Sequence, residues 1–156
     1  MQRINESGQP VGAALPHWQS VPLPAAKVRS GRYWRLVPLD SGQHADDLYA
    51  AFACAPDNSN RTYLKENRPA SLAALHLWLS QLAAVKGFVT FTVVCAQRHN
   101  PVGLLSYLRI DQANGAPEIG GVVWSPLIKR TVIGTEALWV MIANTFAPGY
   151  RRCEWK

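Results

Sequence analysis

The chain has 156 residues, 48% of them apolar and 17% charged, which suits one packed domain and excludes a disordered chain. Lysine and arginine number 16 against 10 acidic residues, a net charge of +6. That balance suits nucleic acid, an acidic protein or a phosphate-bearing small molecule, or serves solubility alone, and does not choose among them.

Residues 1–30 carry Pro10, Pro16, Pro22 and Pro24 with scattered Gly, Ser and Gln, and show no sustained period. They read as a proline-rich arm, distinct from a domain over 31–156. Arg32 to Pro38 is a short aromatic-rich strand. Asp40 or Ser41 then caps a helix through about Ala55, with Leu48, Ala51, Phe52 and Ala55 as its apolar stripe. Residues 58–70 form a polar loop. A second helix starts at Ser71 and places Leu72, Leu75, His76, Leu79, Leu82 and Ala83 on one face, with Gly87 at its C′ position. His76 is expected to be a core histidine.

Three strands follow: Phe88–Cys95, Val102–Ile110 and Pro117–Trp124. Tight turns at Arg98–Pro101 and Asn114–Gly115 join them, so they form an antiparallel meander. Val102, Leu104, Leu108 and Ile110 share a face by alternation. Leu127 to Ile133 is a loop, Gly134 to Phe146 a helix, and Tyr150 to Lys156 a last strand. This final βαβ crossover makes its two strands parallel. The expected fold class is α/β with a mixed sheet and helices on both faces.

Cys54, Cys95 and Cys153 are odd in number and far apart, and each lies in an apolar stretch. Buried free thiols are expected, with no disulfide framework and no metal site. There is no signal-peptide h-region, and Leu72–Val85 is too short to span a bilayer, so a cytoplasmic protein without membrane contact is expected.

The chemistry-bearing segment runs from Trp124 to Ala137. A basic loop leaves a strand and enters a helix, whose first turn offers unpaired N–H groups and partial positive charge. Such a terminus binds phosphate. Lys129 and Arg130 add charge, Gly134 permits close backbone approach, and Thr135 offers a hydroxyl. The loop is neither a Walker loop nor a GxGxxG fingerprint.

The element order, with Pro117–Pro126, Lys129–Ala137 and Gly149–Lys156, resembles the GCN5-related N-acetyltransferase (GNAT) superfamily, and most closely the subgroup acting on ribosomal protein N-termini. The three segments are similar to the family's fourth strand, pyrophosphate loop and fifth strand. In the loop pattern (Gln or Arg, two residues, Gly, one residue, Gly or Ala) Lys129 holds the first place, while Val132 departs from glycine.

The resemblance implies that backbone groups of Arg130, Thr131, Val132, Ile133, Gly134 and Thr135 hold the coenzyme A pyrophosphate, with Lys129 beside them. It further implies that Val122, Val123 and Trp124 pair with the pantetheine arm, and that a base aids direct attack of an amine on acetyl-CoA. Glu118 is the base candidate, sharing a face with Gly120, Val122 and Trp124 by period two. Ser106 and Tyr107 are weaker candidates for lining the acceptor site. Trp78 and Trp124 are read as packing residues.

The family continues past the fifth strand with a helix and at least one strand, about 40–50 residues by ordinary element lengths. The domain is therefore expected to be C-terminally incomplete, lacking the family's Asn and Tyr positions, with Tyr150 not matching the latter. A fragment, a natural truncation or a partner chain closing the open edge, such as a second copy, would each account for this. The alternative function is a non-catalytic acyl-CoA-binding or regulatory module. Nucleic acid is not the expected partner, because no helix-turn-helix, RNP motif or dense basic stripe is present. The acceptor amine is open.

Overall fold

A computed structural model describes residues 3–156; Met1 and Gln2, the start of the arm, lie outside the described residues. The arm contains short strand pairs that its sequence does not announce. β1 (Arg3–Ile4) and β2 (Pro10–Val11) form a hairpin around Asn5, whose Oδ1 accepts the N–H groups of Ser7 and Gln9. β3 (Arg29–Ser30) pairs with the next strand. Between them the arm crosses the domain: the Val21 N–H donates to Gln112 O, and the Trp18 indole donates to Ala113 O at 2.7 Å.

β4 spans Trp34–Pro38, starting two residues later than alternation alone suggests. α1 (Ser41–Ala53) is capped by Asp40, whose carboxylate accepts the Gln43 N–H, and buries Leu48, Ala51 and Phe52. After a 3-10 turn at Ser59–Arg61, α2 (Leu72–Ala83) is capped by Ser71. α2 ends at Ala84, so Gly87 is not its C′ residue and instead takes φ +79° in the following turn. Only Leu75 and Leu79 of its stripe are fully buried; His76 is half-buried at the helix flank.

β5 (Val89–Cys95), β6 (Pro101–Asp111) and β7 (Ala116–Trp124) form the meander, and the sheet order is β3-β4-β5-β6-β7, every neighbour antiparallel. α3 runs Val132–Phe146. The expected last strand is reduced to one parallel bridge, Glu154 against Glu118, because only the Glu154 backbone comes within bonding reach of β7.

Both sheet faces are covered. α1 and α2 close one face, where Leu48, Phe52, Leu75 and Leu79 pack on Leu104 and Val123. α3 closes the other, where Ala137 and Met141 pack on Trp34, Phe91, Leu105, Tyr107 and Ile119. Bulges decide which residues go where. Between Val93 and Val94 the register slips, and Val102 joins the α3-side core while Leu104 faces α1 and α2. A second irregularity at Arg109 (φ +44°) brings Ile110 to the α3 side. Val102, Leu104 and Ile110 therefore do not share one face.

Cys95 is buried and Cys153 half-buried, but Cys54, just past the end of α1, is exposed. No helix among the described residues is long and apolar enough to cross a membrane. The outer side of α3 carries exposed Trp139, Ile142 and Phe146, with exposed Trp155 beyond the helix.

Candidate active site

β7 is the sheet edge that meets α3. Its register to β6 runs Leu104↔Val123 and then Ser106↔Gly120, so β7 holds one extra residue. Gly121 absorbs it at φ +58°, a left-handed conformation that costs a side-chain-bearing residue about 1–2 kcal/mol. The bulge flips the side chains beyond it. Val122 and Trp124 pack toward the α3-side core, while Val123 faces α1 and α2. Period two therefore fails across Gly121, and Glu118 does not share a face with Val122 and Trp124.

On its outer side β7 meets only Glu154: the Ile119 N–H donates to Glu154 O and the Glu154 N–H to Pro117 O, both at 2.9 Å. From Gly120 to Trp124 that edge has no strand neighbour among the described residues. It is a stretch of backbone open to an extended polar ligand.

The loop after β7 is tied to itself. Ile128 and Lys129 N–H groups donate to Ser125 O at 3.2 Å, and Arg130 turns the chain at φ +61°. α3 then starts at Val132, two residues before Gly134, because Thr131 serves as its N-cap. Val132 and Ile133 thus belong to the first turn, not to the loop.

The cap is incomplete: the Thr131 hydroxyl donates back to Ile128 O at 2.8 Å and accepts nothing from the helix. The first helical bond is Thr135 N–H to Thr131 O, which leaves the N–H groups of Val132, Ile133 and Gly134 ahead of it. Gly134 lets this turn sit tightly against the strand, since a Cβ there would lie 3.0 Å from Ile128 O and 3.5 Å from Trp124 Nε1. Lys129 and Arg130 are exposed, with no carboxylate partner among the described residues. Glu136 is committed elsewhere, accepting from the Trp34 indole at 2.7 Å and fastening α3 to β4.

The site therefore joins a strand edge to an uncapped, cation-flanked helix start. A phosphate group fits the helix start, and an extended polar arm fits the edge. Among the described residues no cluster of His, Cys, Asp and Glu could hold a metal ion.

Glu118 is 2% exposed, and both its carboxylate oxygens accept from the Arg109 guanidinium, with Lys156 Nζ 3.7 Å from Oε2. Arg109 was not visible as its partner in the sequence, because only the bulge at 109 and the Leu108↔Glu118 register bring the two together. The structure places Ser106 and Tyr107 in the interior. Ser106 is buried and pairs with the Thr90 hydroxyl at 2.9 Å. Tyr107 lies beneath α3 and donates to Met141 O at 2.5 Å, with burial pushing its hydroxyl up to about 12. Trp124 and Trp78 are half-buried against the two cores.

The family model for the acetyltransferase (GNAT) domain matches residues 34–156. Among solved structures, a GCN5-related N-acetyltransferase from Brucella melitensis is 37% identical with a TM-score of 0.86, over 90% of this chain and 64% of that one. A GNAT-family acetyltransferase from Chromobacterium violaceum is 32% identical with a TM-score of 0.84, over 94% and 73%. The ribosomal-protein-S5-alanine acetyltransferase from Vibrio fischeri shares the fold at 19% identity and a TM-score of 0.55, over 77% and 67%. No significant match was found among curated proteins. The chain thus spans 64% of the length of the Brucella relative, and it belongs to the GNAT acetyltransferase family.

Proposed function

We propose that this GNAT-family chain moves an acetyl group from acetyl-CoA to an amine by direct attack. The observation that carries the reading is the uncapped start of α3 beside the unpaired edge of β7. Backbone N–H groups between Arg130 and Thr135 would hold the pyrophosphate, with Lys129 and Arg130 adding positive charge. The backbone of Val122, Val123 and Trp124 would pair with the pantetheine arm. When bound, acetyl-CoA supplies the thioester carbon that the amine attacks.

Glu118 is proposed to accept the amine's proton through a water. Each of its oxygens holds one guanidinium N–H and keeps a second lone pair for that water. Arg109 and Lys156 fix the position of this carboxylate on β7.

The same ion pairs favour a second reading. A buried carboxylate engaged by Arg109 and Lys156 also serves as a structural tie, and a chain that binds acyl-CoA without transfer would keep it.

Two measurements separate the readings. Acetyl-CoA should raise the melting temperature under either one, and no shift at millimolar ligand would sink both. Free thiol release with an amine panel is expected only of an enzyme. Neutralising Lys129 and Arg130 together should weaken coenzyme A binding about two- to thirtyfold, from about 0.2–1 kcal/mol for each exposed cation–phosphate pair. Arg151, which stacks 5.0 Å from the Trp18 ring centroid, is the control, and an equal effect there would argue for nonspecific attraction.

A further inference from the structure

The loop between α1 and α2 buries positive charge with no carboxylate in salt-bridge contact among the described residues. Arg61 is 5% exposed; its guanidinium carbon lies 4.9 Å from the Phe52 ring centroid and its Nη1 is 3.4 Å from Asn67 O. Its Nη2 is buried with no partner. Arg68 donates from Nε to Asn58 Oδ1 at 3.1 Å and from Nη1 to the carbonyls of Phe52 and Ala55 at 3.2 and 3.0 Å. Its Nη2 has no acceptor among the described residues, and neither guanidinium has a carboxylate within salt-bridge distance there.

Burial, and after it the charge of Arg68, push Arg61 downward, with Glu66 offsetting this in part. Asp57 lies within electrostatic range of Arg68, but two guanidiniums close enough to repel, one of them buried and neither in contact with a carboxylate, form a site that a bound anion would complete.

Arg68 lines a cavity of about 360 Å³ with Tyr49, Phe52, Ala53, Asn58 and Leu75. That volume suits a small ligand or one end of a larger one. Arg61 stands behind its Phe52 wall. Phe52 and Leu75 also belong to the packed cluster that contains Val123, on the face of β7 opposite α3. The cavity is walled by α1, the loop after it and α2, and two of its wall residues pack in the layer that covers this face of β7.

We propose that this cavity binds a carboxylate or phosphate group of the amine acceptor, with Arg68 in contact and Arg61 reinforcing the positive potential. The acceptor is then an amine that also carries an acid, such as an amino acid, a peptide end or a phosphorylated amine, and not a polyamine. The amine part rests on the acetyl-transfer reading; the anion site does not.

The test is thermal unfolding of the full chain in sodium acetate and sodium phosphate against sodium chloride at equal ionic strength. An anion at ten times its dissociation constant should raise the melting temperature by about 3–6 °C above chloride. Acetate alone, phosphate alone or both acting identifies the group. Arg68→Gln should abolish the anion-specific rise.

Arg68 also holds carbonyls at the end of α1, so a second variant guards against misfolding. Ala53→Glu puts a carboxylate into the cavity at a helix C-terminus, where the dipole disfavours it. It should nevertheless raise the melting temperature in chloride and remove the response to the anion. Coenzyme A should stabilise wild type and both variants alike. If it stabilises none of them while the anion response stands, the acetyl-transfer reading fails and the anion site survives. No anion-specific rise in wild type, a rise retained in Arg68→Gln, or a lower melting temperature for Ala53→Glu would overturn the proposal.

Discussion

Replacing Tyr107 by phenylalanine removes one hydroxyl and leaves the ring, which makes an edge contact with Phe91 at 6.4 Å between centroids. The hydroxyl donates to Met141 O, and that carbonyl also accepts from the Thr145 hydroxyl at 3.0 Å. Losing the tyrosine therefore leaves no stranded acceptor, and the loss is that of one net hydrogen bond, about 0.5–1.5 kcal/mol. For a chain of this size the melting temperature should fall by about 1–6 °C. Tyr107→Ala also removes the buried ring, so it should lose about 3–5 kcal/mol. Because burial holds the hydroxyl at about 12, Tyr107→Phe should leave any pH–rate profile unchanged below that range. Thermal unfolding of both variants, with acceptor KM measured beside it, checks the assignment. An unchanged melting temperature with a changed KM would refute the core role and return Tyr107 to the acceptor site.

Gly134→Val pushes a Cβ toward Ile128 O, which two donors from Thr131 already hold in place; stability should drop by about 1–3 kcal/mol, and coenzyme A affinity should drop by about tenfold or more, read by calorimetry. His44 is buried, its Nδ1 accepting the Asp40 N–H at 3.1 Å and lying 3.0 Å from the Thr92 hydroxyl. Burial lowers its pKa from 6.5, against a smaller upward pull from Asp40 and Asp47. The neutral ring is the folded form, so its contribution is full above 6.5 and is lost as pH falls through the lower folded value. His44→Gln should accordingly flatten the acid side of the stability–pH curve, and an unchanged slope would contradict the assignment. Glu118→Gln should leave coenzyme A binding intact and slow transfer by about a hundredfold. Arg109→Ala should destabilise more than Glu118→Gln, because it strands a buried carboxylate.

Periodicity and caps located the elements well. Asp40 and Ser71 cap α1 and α2 where the sequence places them, and Asn114-Gly115 turns β6 into β7. The family was legible from the strand, loop and helix around Gly134, and the matched domain confirms it. Facing was less legible. Alternation assumes an unbroken register, and bulges at Val102, Arg109 and Gly121 each shift the side chains that follow.

Thr131 is a weak cap by type, with its hydroxyl turned back to Ile128, so the sequence pattern places the helix start two residues late, at Gly134. The buried arginine at 61 sits in a polar stretch without apolar period, and nothing local marks it as interior. A Pro-rich arm likewise gives no pattern for the few bonds that lay it across Gln112 and Ala113.

The central claim is that the start of α3 and the edge of β7 together hold coenzyme A. Calorimetric titration with acetyl-CoA, followed by its 3′-dephospho form and by pantetheine, tests it most directly. The expected result is saturable binding that survives loss of the 3′-phosphate, collapses for pantetheine and weakens about two- to thirtyfold when Lys129 and Arg130 are neutralised. Binding that is absent, or that the Lys129 and Arg130 changes leave untouched, would contradict the account.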